Sequence, residues 1–280
     1  MRQMLLRVEF DGADFAGFQP QQAGVRTVGG CLQDAWQRWL GEKVVARTSS
    51  RTDAGVHGRR MPVLIRAERM VPPRALVLGF NSHLPVDVAI TDAREVPLDF
   101  DVRSDAFAKR YVYRVWASQA RSPLSRRRAW HVTRRLDLAA MDAAAAHLKG
   151  EHDFSAMRAA GCTAQTAVRL LWRVDVDSSA SPLIVVTVEG NAFLRNMVRI
   201  LAGTLIDAGT GRIPADEVPT RLASGRRDQV GQTAPAWGLT LDEVFFGPAG
   251  ARWGHDHALL TNRWQRHVAA GELVPGDPLT

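Results

Sequence analysis

Lysine is nearly missing from this chain. Only Lys43, Lys109 and Lys149 occur, so 33 of its 36 basic residues are arginines, set against 29 acidic ones for a net charge of +7. Cysteine is scarcer still. Cys31 and Cys162 form no C-x-x-C pair, which excludes a disulfide framework and a structural zinc site, and both read as small buried apolar residues. No apolar run approaches the roughly 18 residues of a membrane span, and residues 1–6 lack the long apolar core of a secretory leader. A cytoplasmic protein without membrane contact is expected. Neither a G-x-G-x-x-G nor a G-x-x-x-x-G-K-[ST] stretch is present, and His255-Asp256-His257 reads as an exposed tail; no cofactor and no metal are expected.

What remains is ordinary in bulk and unusual in detail. With 280 residues, 46% hydrophobic and 23% charged, the chain has material for one large or two small globular domains. Arginine grips phosphate in a planar fork and stacks on bases, so the basic surplus suits a nucleic-acid partner, although GC-rich codon usage produces the same arginine-to-lysine ratio.

Residues 4–10 alternate and stop at Asp11-Gly12, which predicts a half-buried strand. Val28, Leu32, Ala35, Trp36, Trp39 and Leu40 share a helical face, with Gly41 placed to end it. Residues 62–67 read as a strand, 73–79 as a short helix and 86–90 as a strand. A similar rhythm follows: a strand over 110–116, then a helix capped by Asp137 with Leu138, Met141, Ala145 and Leu148 on one face and Gly150 as its C-terminal cap. Residues 169–176 and 183–188 form a hairpin, helices cover 193–208 and 215–223, and a last strand covers 239–246. Hairpins interleaved with helices predict an α+β fold. On the helix over 193–208, Arg195 and Arg199 lie opposite the apolar face, either as a solvated surface or as two cations projecting together.

Two stretches concentrate chemistry. Ser50-Arg51-Thr52-Asp53-Ala54-Gly55-Val56-His57-Gly58-Arg59-Arg60 sets one carboxylate among turn formers and cations. Neighbouring arginines hold such a carboxylate ionised, fit to act as nucleophile or base, although composition alone favours an Asx-type turn as the role of Asp53. Tyr111 and Tyr113 are the only tyrosines and share one face of a strand, where their rings either stack on a bound base or fill the core.

Arg51-Thr52-Asp53-Ala54-Gly55-Val56-His57 resembles the active-site motif of the tRNA pseudouridine synthase A family. The resemblance runs to about residue 248 through Glu9-Phe10-Asp11-Gly12 with Gly17-Phe18-Gln19, Arg26-Thr27-Val28, Phe80-Asn81 with Leu84-Pro85, Phe100 with Arg103, and Lys109-x-Tyr111-x-Tyr113. It continues in Gly150-x-His152-Asp153-Phe154, Asn191-Ala192-Phe193-x-x-Asn196-Met197-Val198-Arg199 and Ala234-Pro235-Ala236-x-Gly238-Leu239. Departures are mild: Ser50 stands for the usual glycine, Gly58 for alanine, Phe18 for tryptophan and Phe246 for tyrosine.

The resemblance implies a mixed, mainly antiparallel central sheet flanked by helices, built from two similar α/β halves, 1–105 and 106–248, with 249–280 as an extension in which Leu259, Leu260, Trp264 and Val268 keep helical spacing. It implies a cofactor-free homodimer that isomerises uridines 38–40 of the tRNA anticodon arm. Asp53 then matches the essential aspartate, Tyr111 the tyrosine against the target uracil and Arg199 the basic partner of the aspartate. Arg51 matches the residue entering the space of the flipped nucleotide. Phe100, Arg103, Lys109, Gly161, Cys162, Gln165 and Arg195 are the expected RNA contacts. A non-catalytic RNA-binding protein on the same scaffold explains the charge but leaves Asp53 without a use. A two-carboxylate glycosidase or nuclease lacks a second acid with comparable support.

Overall fold

The structure, a computed structural model, describes residues 1–22, 24–69, 71–247, 260–262 and 264–265. It is a mixed, mostly antiparallel α+β fold in two compact units, one holding Met1–Ala108 with the described residues from Leu241 on, the other Lys109–Thr240.

In the first unit the sheet runs β4 (Val88–Glu95), β1 (Arg2–Phe10), β3 (His57–Ala67), β10 (Leu239–Phe246), with the short β2 (Arg47–Thr48) added on β3. β1 is antiparallel to both β3 and β4. The predicted half-buried β1 is covered on both faces: Gln3, Met4, Leu5 and Leu6 are all buried. The polar exception is satisfied, since the Gln3 amide donates to the Pro97 and Phe100 carbonyls and accepts from Arg66 Nε. Helix α1 (Val28–Leu40) forms where predicted. Thr27 Oγ1 accepts the Gly30 N–H at its start and Gly41 ends it in the left-handed conformation. Its apolar stripe packs on α2 (Pro73–Asn81) through Trp36, 5.5 Å from Phe80.

In the second unit the order is β5 (Ala106–Ala117), β9 (Leu183–Gly190), β8 (Val168–Asp177), β7 (Gly150–Asp153), with β6 (Trp130–Val132) parallel to β5. β8 and β9 are the predicted antiparallel hairpin. Asp137 Oδ1 caps α3 (Leu138–Ala146) through the Ala140 N–H, but the helix ends at His147. Gly150, expected as its cap, instead opens β7 at φ +100°. Helix α4 starts at Met197, four residues later than predicted, and runs to Gly209; every residue but Arg199 is buried, so it is a central helix without a solvated face. The predicted helix over 215–223 is a 3₁₀ turn followed by the short α5 (Val218–Ala223).

Trp264 lies edge-on to Phe245 of β10 at 5.5 Å, and Leu260 is buried. Leu259, Val268 and His255-Asp256-His257 fall outside the described residues.

Candidate active site

Asp53 sits half-buried in the loop between β2 and β3, with Thr52 buried and Arg51 exposed. Backbone contacts to residues 12–18 brace this loop. Phe18 N–H donates to the Thr52 carbonyl, Gly55 N–H to the Phe15 carbonyl, and Val56 N–H closes a turn on the Asp53 carbonyl, each at 3.2 Å. Gly55 takes φ +81°, which a side chain disfavours. A Cβ on Gly12 would lie 1.9 Å from the Val56 carbonyl oxygen, so only glycine lets these segments meet, and its N–H donates to the buried His57 Nδ1 at 3.1 Å. The Arg26-Thr27 element braces the same corner: Arg26 pairs with Asp87 at 2.7 Å and lies 4.0 Å over the Phe15 ring.

The expectation that Arg59 and Arg60 surround Asp53 is corrected. Both lie on β3, and their guanidinium groups go to Asp242 and Glu243 of β10, at 3.1 and 3.3 Å. Strand alternation and a carboxylate pair far away in sequence draw them off. Glu243 also takes Arg7 at 2.7 Å, and burial still pushes its carboxyl up against these cations.

On β5, Tyr111 and Tyr113 share a face opposite Val188 and Val186 of β9 and have different neighbours. Tyr111 is 8% exposed, with its ring edge-on to Phe193 at 5.0 Å. Tyr113 is wholly buried; its hydroxyl donates to the Pro235 carbonyl at 2.8 Å, and burial pushes its phenol far up, so it is no base. Gly238 lies flush with its ring, 2.6 Å from Cζ to a Cβ built there.

Arg199, in the first turn of α4, is half-buried. Its Nε donates to the Ala234 carbonyl at 2.8 Å and its Nη1 to Asn196 Oδ1 at 3.0 Å, while Ala234 N–H returns a bond to the Arg199 carbonyl. The solvated outer face therefore does not describe Arg199. Arg195 precedes the helix and is exposed, with Nη1 3.3 Å from the Ala160 carbonyl.

The other expected RNA contacts fall in three places. Phe100 is fully buried, 5.4 Å from Phe246, so its side chain is a core contact; Arg103 in the same turn is exposed. Lys109 is half-buried on β5. Gly161, at φ +73°, and Gln165 are exposed in the loop before β8, where Arg158 binds the Cys162 and Ala164 carbonyls. Neither cysteine is the buried residue expected; both are half-buried. Burial raises the Cys162 thiol, but the N–H groups of Arg195 and Ala164 and the Arg158 guanidinium outweigh it and bring the thiol below its usual range; burial leaves Cys31 above it. Sequence reasoning missed any role for Asn196. It stands in the Asn-Ala-Phe-x-x-Asn stretch, but only the backbone reveals its conformation.

Similarity to known proteins identifies the class: a pseudouridine synthase. A family model described as tRNA pseudouridine synthase matches residues 7–105, which carry Asp53, and 144–247, which carry Arg199. The tRNA pseudouridine synthase A of Geotalea uraniireducens (strain Rf4) is 45% identical over 246 residues, 88% of this chain and 100% of that protein. The namesake protein of Myxococcus xanthus is 45% identical over 246 residues, 88% of this chain and 92% of its own length, and that of Geotalea daltonii 41% identical over 88% and 100%. The chain belongs to the tRNA pseudouridine synthase A family.

Proposed function

We propose that this protein converts uridine to pseudouridine at positions 38–40 of the tRNA anticodon arm, acting in the cytoplasm as a homodimer with no cofactor. What carries the reading is Asp53, a half-buried carboxylate on a backbone-braced loop inside the family's Arg-Thr-Asp-Ala-Gly-Val-His motif. The reaction breaks the C1′–N1 bond, turns the uracil, joins C5 to C1′ and releases the C5 proton, while N1 ends protonated, so that the net change is an isomerisation. Whether the carboxylate attacks C1′, adds to uracil C6 or removes the 2′ proton, it must be ionised and sheltered from water.

Each remaining residue has a part in this proposal. Arg199 keeps Asp53 charged, and Tyr111 packs on the uracil and helps the C5 proton leave. Arg51 occupies the space of the flipped nucleotide. Arg103, Lys109, Gly161, Cys162, Gln165 and Arg195 meet the RNA around it. Flipping a stacked base costs a few kcal/mol, which phosphate contacts from an arginine-rich surface offset. Mapping pseudouridine in tRNA from cells with and without this protein tests activity and position together: loss of the modification at 38–40 supports the proposal, and an unchanged map contradicts it.

A further inference from the structure

Asn196 makes two choices that are locally unfavourable. At φ +60° it is the only non-glycine residue in the left-handed region among those described, and it does so at the N-cap of α4, where extended backbone is the rule. An N-cap asparagine ordinarily accepts an N–H of the first helical turn with its side chain; this one makes no such bond. Its Oδ1 accepts Arg199 Nη1 at 3.0 Å instead. The helix start gives up its cap, and the backbone accepts strain, for one hydrogen bond to one guanidinium.

That bond does not act alone. Arg199 Nε is fixed on the Ala234 carbonyl, whose own residue is tied back by its N–H to the Arg199 carbonyl at 3.1 Å. A guanidinium is planar and rigid, so holding Nε and Nη1 on two separate acceptors determines both its plane and the direction of the Nη2 edge. An outlier conformation kept for such a purpose is what functional sites display, where surrounding structure over-determines the strained residue.

We propose that Asn196 is a positioning residue for the pseudouridine reaction, acting through Arg199. This rests on the reading of Arg199 as the basic partner of Asp53. Asn196 touches no substrate atom in this account; it sets the aim of the guanidinium before tRNA arrives, so that no reorientation is required during the reaction.

The test is steady-state kinetics on purified Asn196→Gly, Asn196→Asp and Arg199→Ala with tRNA substrate, together with their melting temperatures. Glycine accepts φ +60° freely, so Asn196→Gly is expected to melt at or above the wild-type temperature. Its kcat is expected to fall at least about tenfold, with KM within about threefold. Asn196→Asp keeps the acceptor oxygen and tolerates the left-handed backbone, so its kcat should stay within about fivefold of wild type. Wild-type kcat in Asn196→Gly overturns the inference, as does a loss in Asn196→Asp as large as that in Asn196→Gly. A drop in Asn196→Gly that tracks its unfolded fraction overturns it too. Full activity in Arg199→Ala removes the underlying reading of Arg199, whereas an inactive Arg199→Ala beside a wild-type Asn196→Gly removes this inference alone.

Discussion

Tyr113 spends its hydroxyl on the Pro235 carbonyl and its ring on Gly238, whereas the ring of Tyr111, two residues earlier, packs edge-on to Phe193. Replacing Tyr113 by Phe should therefore cost about 1 kcal/mol of stability by removing the part-buried hydrogen bond to the Pro235 carbonyl, with little change in kcat. Tyr111→Phe keeps its ring and should keep tRNA affinity while reacting far more slowly. Denaturant titration and single-turnover rates measure both, and equal kinetic loss at the two positions would make them one structural pair. The cysteines divide in the same manner. Because burial lifts Cys31 while N–H groups and Arg158 stabilise the Cys162 thiolate, iodoacetamide at about pH 7.5 should label Cys162 first by peptide mass analysis. Asp53, Tyr111 and Arg199 stand out as candidates in the sequence because their motifs are local. The pairing of the neighbouring arginines is not legible: Arg59 and Arg60 find Asp242 and Glu243 across some 180 residues of chain, and no local pattern records it.

Among the elements, helices with strong ends were readable, since Gly41 and Asp137 supply caps that need no tertiary context. The start of α4 was misplaced because apolar spacing continues smoothly through Phe193, while Asn196 turns the backbone left-handed. β1 reads as half-buried because Arg7 and Glu9 alternate with Leu6, Val8 and Phe10, yet Gln3 to Leu6 are all buried, with the Gln3 amide satisfied by the Pro97 and Phe100 carbonyls. The turn after Phe100 offers a pH-dependent test. Burial raises the Asp101 carboxyl, but the Ser104 and Arg103 N–H groups and the Ser104 hydroxyl, all on Oδ1 within 3.1 Å, outweigh it and hold it below the ordinary range. A depressed folded-state carboxyl stabilises the fold above its unfolded value, near 4, and that contribution fades as pH falls through the folded value. Asp101→Ala should thus be less stable by about 1 kcal/mol at neutral pH, with the gap from wild type narrowing in denaturation curves taken below about pH 4. A gap independent of pH would reject the carboxylate as its source.

For the molecule as a whole, the α+β class followed from strands interleaved with helices, but the return of β10 to pair with β3 did not, because a strand at the far end of the chain carries no mark of its partner. That return brings Asp242 and Glu243 to β3, the strand that follows the Asp53 loop, where they pair with Arg59 and Arg60. The central claim is that one carboxylate on that loop carries out the isomerisation. Single-turnover pseudouridine formation on tRNA by wild type and Asp53→Asn, with tRNA affinity measured beside it, tests this most directly. The account predicts a rate reduced by at least about a thousandfold in Asp53→Asn with affinity retained within about fivefold, since the substitution removes the reacting charge and no phosphate contact. A variant rate within about tenfold of wild type would contradict it.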